Sequence, residues 1–342
     1  MTSTTRTNPA AVPTANPSRR HVEGGDPAGR ISATRSSTFL KVFFLVTAFV
    51  VAVPTPVKAG ELGHPSSAVA VPGTIPFREV EGIGLIANVW VNGAGPFRFA
   101  LDTGAGCVIA SDRVARESHL DLSDTTVPIA GLSGLPTAAR QTAAARLAAG
   151  SSDNVLPSTC MLLVTDALPE GVDGVLDPAI AVRPLGFVMD LPSGELRCFD
   201  PLTSPVRATD VPPDGVVVAW LGSAGSLSPV VSIGHGRKAL VDTGSQFGLA
   251  IGTRDVLAFG AIVQRTSVSD GVVDLGGGAV RSRRATTPTL DLGGMVLSNV
   301  PTQVLLGTDS DTPILLGRDA LRPFEITFDP HARLIQIARV TK

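Results

Sequence analysis

The stretch ALVDTGSQFG, from Ala239 to Gly248, decides the fold, because its central Asp-Thr-Gly occurs once more in FALDTGAGCV, from Phe99 to Val108. Each copy follows an apolar run that reads as a buried strand, and each puts Gly where the chain must turn. One Asp-Thr-Gly alone says little, since a chain of this size meets the tripeptide by chance roughly once in 15 trials at average residue frequencies. Two copies in register with other landmarks say much more. Asp102 and Asp242 are 140 positions apart, and Leu101 and Val241 before them keep that offset. The same offset sets Gly174-Val175-Leu176-Asp177 opposite Ile314-Leu315-Leu316-Gly317. Phe187 to Asp190, followed by Leu196, matches Ile326 to Asp329, followed by Leu334. Upstream, Val89 to Gly93 precedes the first tripeptide as Val230 to Gly234 precedes the second. The chain therefore reads as two copies of one unit.

Period and punctuation make that unit β-rich. IGLIANVWV (Ile83 to Val91), FRFALD (Phe97 to Asp102), VVVAWL (Val216 to Leu221), KALVD (Lys238 to Asp242), EITFD (Glu325 to Asp329) and RLIQIARV (Arg333 to Val340) are short, rich in β-branched and aromatic residues, and bounded by turn formers. Helix is expected only in SDRVARESH (Ser111 to His119), TRDVLAFG (Thr253 to Gly260) and, ambiguously, AARQTAAARLAAG (Ala138 to Gly150). PLTSPVRATDVPPDG, Pro201 to Gly215, carries prolines that break regular structure and marks a linker. The expected organisation is an N-terminal lobe over 60–200, a linker over 201–215 and a C-terminal lobe over 216–342.

Bulk composition excludes some partners. A net charge of −2, with 17% charged residues and no long basic run, argues against nucleic acid. Residues 1–59 read as a disordered segment plus an export signal, with an apolar core at 42–53, Arg30, Arg35 and Lys41 before it, and Val57-Lys58-Ala59 as a small-residue cleavage site. An uncleaved segment would instead tether the protein to a membrane. Export would place Cys107, Cys160 and Cys198 in an oxidising compartment, where Cys160 and Cys198 form a candidate disulfide. Three buried apolar thiols are the equal alternative. There is no CxxC, and the five histidines are scattered, so no metal or cofactor is expected. A G-x-S-x-G elbow is absent, and Gly82-Ile83-Gly84 precedes a strand rather than a helix, which disposes of serine-hydrolase and dinucleotide readings.

With both Asp-Thr-Gly copies and the repeat in hand, the chain resembles the pepsin-like and retropepsin-like aspartic proteases, of the bacterial single-chain, two-lobed type, over nearly all of 60–342. The resemblance implies an all-β, two-lobed acid-protease-like β-barrel fold with a pseudo-twofold axis. It also implies that Asp102 and Asp242 are the catalytic pair, Thr103 and Thr243 the crossed braces, and Gly104 and Gly244 the turn formers. Ile314-Leu315-Leu316-Gly317-Arg318-Asp319 looks like the family's apolar-apolar-Gly-Arg-Asn/Asp run, although Arg318 taken alone could be an ordinary ion-pairing arginine. VPIAGLSGLPTAAR (Val127 to Arg140) and SVSDGVVDLGGGAVRSRR (Ser267 to Arg284) have the character of flaps. The chain contains no Tyr, so the flap tyrosine of pepsin-like enzymes is missing and the likeness leans toward retropepsins.

Two paired carboxylates cannot both ionise cheaply, so such a pair holds one proton and one charge over a broad pH range, which suits direct hydrolysis of an amide. Ser245, placed to hydrogen-bond Asp242 where Ala105 offers nothing, makes Asp242 the expected base and Asp102 the expected proton holder. Asp177 departs from the pattern. By the offset it stands where the second copy has Gly317, so either it brings a third carboxyl to the pair or the alignment slips and Asp177-Pro178 opens a turn. The expected activity is that of an aspartic endopeptidase acting as a monomer on peptide or protein substrates, exported to the periplasm or beyond. The alternative is a non-catalytic peptide-binding module in the same fold.

Overall fold

The computed structural model describes residues 44–45, 69–222, 226–274, 278–308 and 312–340, the side chains at 44–45, 143–144 and 266–274 excepted. Its regular structure is mostly strand, with only a few short helices. Alternating burial explains the short ones: Ile75–Val80 buries Ile75 and Phe77 and exposes Pro76 and Arg78, as expected of a sheet with one face on the core.

Each lobe is organised around a strand that ends in its Asp-Thr-Gly loop. In the first lobe Ala94–Leu101 runs antiparallel to Gly84–Val91 on one side and parallel to Gly174–Leu176 on the other. In the second, Lys238–Asp242 lies between antiparallel Val230–Ser232 and parallel Ile314–Gly317. All three residues of Gly174–Leu176 and all four of Ile314–Gly317 are buried, as continuous apolar strands enclosed on both faces should be.

The lobes join through one shared sheet. Gly186–Asp190 pairs antiparallel with Phe324–Asp329, with Phe187 opposite Phe328 and Met189 opposite Ile326. The shift that relates the two sequence copies turns the first of these pairs into the second, so a pseudo-twofold axis runs through this junction. The rings of Phe187 and Phe328 stack there with centroids 4.6 Å apart, an arrangement worth about 1 kcal/mol beyond its buried area. Trp220 meets Phe328 edge-on from the flanking segment after Gly215–Ala219.

Most of the expected strands form close to their expected limits, and Ser111 caps a helix over Asp112–Glu117. Two segments differ. Pro136–Ala149 is a strand of 14 residues, not a helix: its first half pairs with the flap strand Leu122–Ala130 and its second half with Val155–Val164, and this cross-strand pairing outweighs the helical propensity of its alanines. Thr253–Asp255 forms one 3-10 turn and no longer helix. The three cysteines are free, so the Cys160–Cys198 disulfide does not form. Phe44–Leu45 lies parallel to Val273–Asp274, and apart from this pair the segment read as an export signal lies outside the described residues.

Candidate active site

Asp102 and Asp242 come together at the junction of the lobes, both buried, each one residue beyond or at the end of its strand. Their loops are locked to each other. Thr103 N–H donates to Thr243 Oγ1 at 3.1 Å and Thr243 N–H to Thr103 Oγ1 at 3.1 Å. Each hydroxyl then donates across the axis, Thr103 Oγ1 to Val241 C=O at 2.7 Å and Thr243 Oγ1 to Leu101 C=O at 3.2 Å. Four buried hydrogen bonds thus fix the strand ends that carry the two carboxyls.

Gly104 and Gly244 are required for closeness rather than for an unusual backbone angle. A Cβ on Gly244 would lie 2.3 Å from Asp102 Cγ, and one on Gly104 would lie 2.9 Å from Asp242 Cγ. Each glycine therefore leaves the space that the opposite lobe's carboxyl occupies.

The two carboxyls have unequal surroundings. Asp102 Oδ1 accepts Gly104 N–H at 2.8 Å, while its Oδ2 is buried and receives no donor among the described residues. Burial first, then the charge of Asp242, then the hydrogen bond it gives to Asp242 hold Asp102 well above the ordinary carboxyl range. Asp242 is also raised by burial, but that hydrogen bond from Asp102, the Ser245 N–H at 3.0 Å, the Arg318 guanidinium and the Gly244 N–H all favour its charged form. These surroundings favour the proton on Asp102 and the charge on Asp242.

The charge on Asp242 is favoured by other atoms than the residue types suggest. Ser245 favours the Asp242 carboxylate with its backbone N–H; its hydroxyl accepts from Phe247 N–H at 3.3 Å. Arg318 contributes more than an ordinary ion pair. Its buried guanidinium donates to Thr243 C=O at 2.7 Å and Gly244 C=O at 2.8 Å, and reaches Glu79 of the first lobe at 3.5 Å. One arginine thus steadies the second loop and ties it across the lobes. The Gly-Arg-Asp run carried that signal in the sequence; Glu79, which also pairs with Arg322, carried none.

Asp177 is opposite Gly317 in structure as well as in sequence. Leu101 pairs with Leu176 as Val241 pairs with Leu316, so the alignment does not slip and a third buried carboxyl adjoins the pair. The first flap, Leu122–Ala130 with Pro136–Ala149, turns at 131–135 and sends Leu132 into an apolar cluster of the second lobe with Leu240, Phe247 and Val280. In the second flap, Ile262–Asp274 with Ala279–Asp291, the tip at 275–277 lies outside the described residues. Beyond the Asp242 loop a groove of about 300 Å³ opens between Gln246, Gln264, Arg284 and Gln303. Among the described residues no cluster of His, Cys, Asp or Glu suits a metal ion.

The comparisons fit this geometry. The family model described as aspartyl protease matches twice, over residues 87–176 and 229–320, which together make up more than half of the chain and contain one Asp-Thr-Gly each. The fold is similar to the crystal structure of an aspartic proteinase from Irpex lacteus, with a TM-score of 0.52 and 13% identity, over 80% of this chain and 98% of that one. No curated protein matches the chain. By the doubled family match, the chain belongs to the aspartyl protease family.

Proposed function

We propose that the protein is an aspartic endopeptidase that hydrolyses peptide bonds with a water molecule activated between Asp102 and Asp242. The observation that carries this reading is the meeting of two buried carboxyls with unequal surroundings: Asp102 accepts one N–H and has one oxygen without a donor among the described residues, whereas Asp242 has the Ser245 N–H and the Arg318 charge beside it. Charged Asp242 takes a proton from the water as it attacks the scissile carbonyl, while neutral Asp102 donates its proton to that carbonyl oxygen. Return of a proton to the leaving amine completes the cleavage, and no bond to the enzyme forms. The crossed threonines and Arg318 hold the carboxyls in place beforehand, so little reorganisation is needed during the reaction.

Both aspartates come from one chain, which favours an active monomer. The flap hairpin that carries Leu132 would close over a bound peptide and limit water to the reacting molecule. The apolar run at 42–53 favours export to the periplasm or beyond, or a membrane tether if it stays uncleaved. N-terminal sequencing of protein recovered from cells distinguishes the two.

A second reading is favoured by Asp177, whose charge adds to the burial that keeps Asp102 protonated. A pair that never loses a proton would leave a peptide-binding module without activity. Digestion of a peptide library from acid to neutral pH, read by mass spectrometry, separates the readings. New termini that disappear in Asp102→Asn and Asp242→Asn support the enzyme. Peptides retained whole by the wild type support the binding module.

A further inference from the structure

The two lobes support their Asp-Thr-Gly loops by different means. In the second lobe the loop lies flat on Gly317, where a Cβ would sit 2.3 Å from Phe247 C=O and 2.8 Å from Ser245 C=O. Those carbonyls accept main-chain donors: Arg318 N–H meets Ser245 C=O at 2.9 Å, and Asp319 N–H meets Phe247 C=O at 3.3 Å. The first lobe cannot copy this. Its loop is one residue shorter, 103–107 against 243–248, before the next strand begins. Pro178 stands at the position of Arg318 and has no N–H.

Asp177 fills the gap with its side chain. Asp102 N–H donates to Leu176 C=O at 3.0 Å, which brings Asp177 directly under the loop. Its Oδ2 accepts Gly106 N–H at 2.8 Å, and its Oδ1 accepts Ala179 N–H at 2.9 Å, capping the short helix Pro178–Ala181. Capping alone does not account for an aspartate here. Ser or Asn caps a helix as well, without the cost of burying a carboxyl completely. The second oxygen, on Gly106, is what a carboxyl adds.

We propose that Asp177 is a positioning residue for the dyad: by gripping Gly106 N–H it fixes the loop that carries Asp102, doing with a side chain what main-chain carbonyls do in the other lobe. The proposal rests on the reading of Asp102 and Asp242 as the catalytic pair. It carries a pH signature. Among the described residues, the titratable groups whose charges act most strongly between themselves and Asp177 include Asp102, Asp242, Cys107 and Cys160, all carboxyls or thiols. Burial lifts Asp177 to about 8, against the pull of the Gly106, Ala179 and Ile180 N–H groups, and its charge raises Asp102 in turn. The Gly106 N–H therefore meets a carboxyl that passes from neutral to charged as pH rises through that range.

Two variants isolate the grip from the cap. Asp177→Asn keeps an acceptor for Ala179 but turns an amide N–H toward the Gly106 N–H; Asp177→Ser keeps the cap and cannot reach Gly106. With a fluorogenic peptide that the wild type cleaves, kcat is expected to fall about tenfold or more in both, with KM within about twofold, because a small displacement of a reacting group costs rate rather than binding. Wild-type kcat in either folded variant overturns the proposal. Should both variants fail to fold, wild-type NMR decides: the Gly106 amide proton should follow the ionisation of the Asp177 carboxyl, and an indifferent Gly106 overturns the proposal. Failure of the dyad reading looks different, since the Asp102→Asn enzyme would then cleave like the wild type while the Gly106 response persisted.

Discussion

Thr103 and Thr243 hold each other across the molecule, the N–H of each meeting the hydroxyl oxygen of the other at 3.1 Å. Because each hydroxyl also donates to a carbonyl of the opposite strand, replacing either one leaves two buried partners unsatisfied. Thr103→Val or Thr243→Val should cost about 2–6 kcal/mol, at about 1–3 kcal/mol for each orphaned buried group. Thr→Ser at the same positions should cost far less. Chemical denaturation of the four variants checks the order.

Gly244 faces Asp102 and leaves no room for a methyl group, a Cβ there lying 2.3 Å from both Cγ and Oδ2 of Asp102. Gly244→Ala should displace the Asp102 carboxyl and reduce kcat about a hundredfold. Gly104→Ala, with 2.9 Å to Asp242 Cγ, should be damaging but less so. Single-turnover rates on one peptide substrate give the comparison.

The raised Asp102 makes stability depend on pH in a definite sense. Its native form binds a proton more tightly than the unfolded chain does, so between the unfolded value near about 4 and the raised native value, stability falls as pH rises. Asp102→Asn keeps an acceptor for Gly104 N–H and a donor for Asp242 while removing that ionisation. The variant should therefore unfold at a higher temperature than the wild type at neutral pH, with the difference shrinking as pH falls toward about 4. Thermal melts across this range measure it.

Arg318 lowers Asp242 through its charge while binding two loop carbonyls. Arg318→Met should move the acid limb of the activity profile to higher pH, because Asp242 would then ionise later. Arg318→Lys should keep the limb nearer its wild-type place yet lose stability, since one ammonium cannot reproduce the planar fork. The pH dependence of kcat/KM for both variants tests the assignment.

Much of this architecture was legible because the apolar runs are short, β-branched and repeated at a constant offset, and because Asp-Thr-Gly pairs survive in both copies. Pro136–Ala149 was not, since alanine favours helix locally and only its strand neighbours reveal the sheet. The place of Asp177 could be read from the offset, but its work could not: that depended on the shorter loop and the missing N–H of Pro178 acting together. Ser245 meets Asp242 through its backbone N–H and not through the hydroxyl that its residue type suggests, a choice made by loop geometry. Leu132 reaches the second lobe only because the hairpin turns where it does, a long-range contact that periodicity does not encode.

The most direct test of the dyad is the pH profile of kcat/KM for wild type, Asp102→Asn and Asp242→Asn on one peptide, with each protein shown to be folded. The wild type should give a bell-shaped profile, and both variants should lose activity about a hundredfold or more at every pH, as expected when a positioned acid or base is removed. A folded Asp102→Asn or Asp242→Asn that cleaves the peptide at close to the wild-type rate would contradict the account.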